Sequence, residues 1–80
     1  MRVKYIVTEE EKIVIFSELQ QHSEFSRFSP ISAGFISIGL DEKGGLSCSC
    51  YGSSVSLKLD SRPKEDTELA NRQIINAEYI

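Results

Sequence analysis

Apolar residues in this chain come in short runs separated by turn-forming clusters, and only the last quarter spaces them at helical intervals. Val3 to Val7 is rich in β-branched and aromatic residues and predicts a strand, with a turn over Thr8 to Glu11. Lys12 to Phe16 is a second short apolar run, expected to pair with the first as a hairpin. Ser17 to Phe28 is more polar and is expected to hold a short helix with Leu19, Phe25 and Phe28 on its buried side and Ser23 as a cap. Pro30 ends it. Ile31 to Leu40 and Leu46 to Tyr51 then predict strands on either side of an Asp41–Gly45 turn. Gly52-Ser53 allows a corner, and Val55 to Leu59 alternates as a further strand would.

The period changes after Ser61-Arg62-Pro63. Pro63 suits a first helical position, and Glu65 and Asp66 fall in the first turn, where the helix dipole favours acids. Leu69, Ala70, Ile74 and Ala77 recur on one helical side, and Tyr79 and Ile80 leave an apolar end. The order β-β-α-β-β-β-α predicts an α+β fold, a small mostly antiparallel sheet with helices packed on one side. At 80 residues and 9.0 kDa this is one domain spanning residues 1–80. A chain of this size buries only about 60% of its unfolded surface. It is therefore expected to lean on a partner, and a homo-oligomer is the natural one.

The central hairpin carries the most specific expectation. If Leu40 pairs with Leu46, then Ile38 faces Cys48 and Ile36 faces Cys50, an apolar face. The opposite face sets Ser37 against Ser49 and Phe35 against Tyr51. Two rings among hydroxyls suit a ligand platform: aromatic faces stack on bases and hydroxyls bind ribose or phosphate oxygens. The competing reading packs the ring pair beneath a helix or another subunit. Serine supplies 12 of the 80 residues, which favours a half-exposed polar sheet face. Arg62, at the sheet-to-helix joint, is placed either to grip a phosphate at the helix start or to pair with Glu65 or Asp66. Arg2, Arg27 and Arg72 read as plain surface residues.

Charge and chemistry narrow the classes. With 9 basic and 12 acidic residues the net charge is −3, which argues against DNA or RNA phosphate as a partner. No apolar run reaches membrane-span length, and Met1 to Thr8 lacks a signal-peptide pattern, so no membrane and a cytoplasmic location are expected. Cys48 and Cys50 share a strand face, where a disulfide between them would be strained. With His22 they fall short of the four ligands of a structural zinc site, so neither metal nor other cofactor is expected. Nothing in the sequence brings a cysteine to His22 as a nucleophile pair, and no catalytic residue is assigned.

Several strings carry a resemblance. Lys4-Tyr5-Ile6-Val7-Thr8, Ser32-Ala33-Gly34-Phe35, Cys50-Tyr51-Gly52-Ser53-Ser54-Val55-Ser56-Leu57, Ser61-Arg62-Pro63 and Glu65-Asp66-Thr67-Glu68-Leu69 resemble a group of small phage and prophage proteins, over residues 3 to 73. A looser resemblance is to the viral anti-Thoeris sponge family. It implies sequestration, without degradation, of a cyclic ADP-ribose-type or cyclic nucleotide signal in the host cytoplasm, in pockets between subunits. By that resemblance Phe35 stacks on adenine and Arg62 holds phosphate. Two other classes stay open. One is an inhibitor of the anti-CRISPR type that offers Glu9 to Glu11 and Asp41-Glu42 to a basic protein surface. The other is a small hydrolase using Cys50 or His22.

Overall fold

The computed structural model describes residues 2–75. β1 (Arg2–Thr8) and β2 (Ile13–Phe16) form the expected hairpin, followed by a 3-10 segment at His22–Phe28. Next come β3 (Pro30–Leu40), β4 (Leu46–Tyr51), the two-residue strands β5 (Ser53–Ser54) and β6 (Leu59–Asp60), and α1 (Pro63–Ala70). α1 runs on into a π-type turn at Asn71–Ile75. The main sheet has the order β2-β1-β3-β4 with antiparallel neighbours throughout, and β5 pairs with β6 as a separate ribbon. The α+β class is as expected. The expected apolar positions Ala77, Tyr79 and Ile80, and the side chain of Ile74, lie outside the described residues.

The hairpin register is the one the alternation predicts: Leu40↔Leu46, Ile38↔Cys48, Ile36↔Cys50, Ser37↔Ser49 and Phe35↔Tyr51. Each strand therefore sends alternate residues to opposite faces. On one face Tyr5, Val7, Ile36, Cys48 and Cys50 meet Leu69 and Ala70 of α1. On the other, Ile6, Ala33 and Phe16 pack with Phe25 of the 3-10 segment and with Leu57 and Leu59. α1 thus covers one face, while the 3-10 segment and the β5–β6 ribbon cover part of the other, so the two helical segments lie on opposite faces and not on one side as expected. Leu40 and Leu46 are properly paired but lie beyond the reach of α1, 72% and 54% exposed.

Two segments depart from expectation, both because a serine diverts the backbone. Leu19 was expected to be buried on a helix and is 94% exposed. The Ser17 Oγ accepts the Leu19 N–H at 3.1 Å and the Ser17 carbonyl accepts the Gln20 N–H, so a tight turn replaces the start of that helix. The cap is also different: the Gln21 N–H is taken by the Glu24 carboxylate, not Ser23. The expected strand over Val55 to Leu59 is a turn up to Lys58, and only Leu59 belongs to a strand, β6. The Ser54 Oγ accepts the Leu57 N–H, the Val55 carbonyl accepts the Lys58 N–H, and Lys58 takes φ 57°, which closes a hairpin turn between β5 and β6.

α1 is tied to the sheet by a buried carboxylate. Asp66 is fully buried, and the Tyr5 hydroxyl donates to its Oδ2 at 2.5 Å. The Arg62 N–H donates to the same oxygen at 3.0 Å, and the Arg62 guanidinium donates to Oδ1. The Ser61 hydroxyl completes the cluster by donating to the Tyr5 oxygen. Burial first, and the Asp66 bond second, hold the Tyr5 phenol protonated far above its ordinary range. Gly34 serves the same junction: a Cβ there would stand 2.4 Å from the Tyr51 carbonyl oxygen and 3.2 Å from Ser61 Cβ.

The polar side of the helical segment also closes the strand edges. The Thr67 Oγ1 accepts the Cys50 N–H at 2.9 Å, and Asn71 Oδ1 accepts the Cys48 N–H at 3.3 Å, both on edge strand β4. Gln73 does the same for β2, accepting the Ile13 N–H at 2.9 Å and donating to the Glu11 carbonyl at 2.7 Å. Bare edges are templates for aggregation, so this cover protects a small open sheet. Removing the carboxylate that seats the helix strands the Tyr5 hydroxyl and the Arg62 N–H. Asp66→Ala is expected to cost about 3 kcal/mol in urea unfolding. An Asp66→Ala protein as stable as the parent would contradict the account of the junction.

Candidate functional site: a cationic aromatic groove

The face of the sheet opposite α1 is only partly covered, and a groove of about 470 Å³ opens there. Its floor comes from alternate positions of three strands: Arg2 and Lys4 of β1, Phe35 of β3 and Tyr51 of β4. Gln21 and His22 form one wall, and the turn from Gly52 to Ser56 forms the other. Gly52 takes φ +81°, and a Cβ there would come within 3.1 Å of the Phe35 ring, so only glycine lets the backbone pass this close to the ring.

The rings form a connected set. Phe35 and Tyr51 lie with centroids 6.1 Å apart and planes 26° apart. His22 meets Phe35 edge-on at 6.0 Å and Phe16 edge-on at 5.4 Å. The Arg2 guanidinium carbon sits 4.8 Å from the Phe35 centroid, a cation–π geometry. None of the residues lining the groove is acidic. An anion entering it meets two cations, although the whole chain carries a charge of −3. The Arg2 pKa is raised, first by its bond to Glu18 and with a smaller contribution from the Tyr51 hydroxyl.

The sequence-predicted residues are only partly brought together. Phe35 and Tyr51 line the groove as a pair. Ser37 and Ser49 face each other on the same side, but one pair further along the hairpin. They are exposed and outside the groove, whose hydroxyls come from Ser53 and Ser56 instead. Arg62 is not in the groove. It caps α1 and spends its donors on Asp66 and on both carboxylate oxygens of Glu11, the pairing reading of the two weighed for it. The cations in the groove are Arg2, expected to be plain surface, and Lys4. Their signal was the alternation of Arg2 and Lys4 with Val3 and Tyr5, which already sets both on one face of β1. Their closeness to Phe35 rests on the pairings Arg2↔Ser37 and Lys4↔Phe35, across more than thirty residues of chain.

Cys48 and Cys50 are free and buried on the α1 face, and burial, then Asp66, push the Cys50 thiol up to about 11. His22 packs on the other face, with the sheet between it and Cys50. The two therefore form no nucleophile pair. Among the described residues no group of three or more His, Cys, Asp or Glu is placed to hold a metal ion, and no helix is long and apolar enough to cross a membrane.

His22 is 4% exposed, and its Nε2 lies 2.9 Å from the Gly34 carbonyl oxygen. A carbonyl only accepts, so Nε2 carries the proton and the neutral ring keeps Nδ1 as an acceptor. Burial chiefly, with Lys4 nearby, lowers its pKa below 6.5, against the opposing effect of the Gly34 bond. The unfolded chain therefore takes up the proton first as pH falls. The His22 contribution is complete above pH 6.5 and is lost as pH drops through that value toward the folded-state pKa. Between pH 7 and 5 the urea midpoint of the parent is expected to fall more steeply than that of His22→Gln, whereas parallel profiles would contradict this assignment. No protein-family model, no curated protein and no solved structure matches this chain.

Proposed function

We propose that the chain is a non-catalytic binding module that sequesters a cyclic ADP-ribose-type or other cyclic nucleotide signal. The observation that carries this reading is the juxtaposition in one acid-free groove of the Phe35–Tyr51 ring pair with Arg2 and Lys4. An aromatic base needs a ring to lie against, and its phosphates need cations. Tyr51 keeps 37% of its surface exposed, and this is the ring a base stacks on. A groove of about 470 Å³ falls within the range of small-molecule sites, roughly 300–1,000 Å³. The anti-defence role, against a host signalling system from a phage genome, rests on the resemblance of the strings quoted above. In this reading Arg2 takes the phosphate-holding part that the resemblance assigns to Arg62. A second copy of the chain supplies the roof that one chain lacks, as in the homo-oligomer expected from its size.

The inhibitor alternative has less to work with. Of its five acids, Glu11 is held by Arg62, and the Asp41 carboxylate accepts the Lys43 and Gly45 N–H groups inside its own turn. Thermal melting with cyclic ADP-ribose and with cyclic di-AMP tests the nucleotide reading. A ligand at about 100-fold its Kd is expected to raise the melting temperature by about 10–20 °C. Phe35→Ala and Arg2→Ala should each fold and lose that rise. If neither nucleotide moves the melting temperature of the parent, the reading fails.

A further inference from the structure

The cations of the groove are not idle in the absence of ligand. The Arg2 Nε donates to the Glu18 Oε1 at 2.5 Å, and the Lys4 ammonium donates to the Gln20 carbonyl at 2.7 Å. Both partners belong to the Ser17–Gln21 loop, which carries neither helix nor strand. The loop has no apolar anchor: Leu19, its one large apolar side chain, is 94% exposed. The loop has two internal bonds to Ser17, the Leu19 N–H to Oγ and the Gln20 N–H to the carbonyl, and its last residue, Gln21, is tied to Glu24 of the 3-10 segment; its side-chain holds from the sheet are those two cations.

Glu18 offers Arg2 what a phosphate would: an anionic oxygen that accepts a guanidinium N–H. The Arg2–Glu18 pair is also solvent-exposed, with side chains 56% and 41% accessible, so it contributes little to folding and is cheaply broken. We infer that Glu18 is a built-in competitor for the groove, its carboxylate holding Arg2 until a ligand phosphate displaces it and leaves the Ser17–Gln21 loop with Lys4 as its remaining cationic hold. The inference rests on the nucleotide reading of the groove. It makes the loop a flap whose latch is the ligand's own anchoring residue. Uncharged ligands do not release it, and ligand phosphate does.

Isothermal titration of the parent and of Glu18→Gln tests the latch, with cyclic ADP-ribose and cyclic di-AMP as anions and adenosine as the uncharged control. Glu18→Gln keeps the side-chain shape and removes the charge. It should bind the anions about fivefold more tightly than the parent, bind adenosine equally, and melt within a degree or two of the parent. Glu18→Ala should behave alike. If the parent binds an anion and both variants bind it no better, Glu18 is not a competitor, while the nucleotide reading survives. If none of the three proteins binds either anion, the nucleotide reading and the latch fall together.

Discussion

The rest of the molecule depends on one buried carboxylate. Asp66 lies in the first turn of α1 with no exposed surface, and it is held by donors from three directions: the Tyr5 hydroxyl in the centre of the sheet, the Arg62 backbone and the Arg62 side chain. A charge so placed is strongly destabilising unless each oxygen is satisfied. That requirement fixes where the helix starts and how it crosses the strands. Once it is seated there, Leu69 and Ala70 close the core over Cys48 and Cys50. Thr67, Asn71 and Gln73 fall on the open edges of β4 and β2. One ionic junction thus sets the packing of one face and blocks both edges.

The functional consequence follows from what that junction consumes. Arg62 has its guanidinium divided between Asp66 and Glu11 and has little left for a ligand. On the α1 face the helix covers both thiols, with Cys50 held protonated. The groove lies on the opposite face, where the 3-10 segment and the β5–β6 ribbon cover the sheet incompletely, and the proposed binding is assigned to it. There Arg2 and Lys4 meet the ring pair; Arg2 is paired with the exposed Glu18 carboxylate, and Lys4 donates to a loop carbonyl. The two arginines differ in kind. One is a structural ion in a part-buried network, and the other is a surface ion resting on an aromatic ring and paired only with an exposed carboxylate.

Much of the fold was legible where the pattern is local. The β3–β4 register could be read residue by residue, because a five-residue turn at Asp41–Gly45 fixes which residues pair and alternation fixes which face each occupies. The Phe35–Tyr51 half of the site came with it. Two kinds of feature were hidden. Short serine turns at Ser17 and Ser54 compete with helix and strand through a single side-chain hydrogen bond, which periodicity does not register. The cations of the groove arrive through the pairing of β1 with β3, a contact between distant parts of the chain. Arg62 misled for a related reason: a helix start suits an anion, but here the anion is the helix's own Asp66, four residues on.

The central claim is that ligand binding uses the face opposite α1 and leaves the α1 face undisturbed. A titration of the isotope-labelled protein with cyclic ADP-ribose, followed by amide and aromatic chemical shifts, tests it most directly. The account predicts shift changes at Arg2, Lys4, Phe35, Tyr51 and Gly52, and unchanged signals at Cys48, Cys50, Asp66 and Leu69. Changes centred on Arg62 and the start of α1, or no changes at saturating ligand, would contradict it.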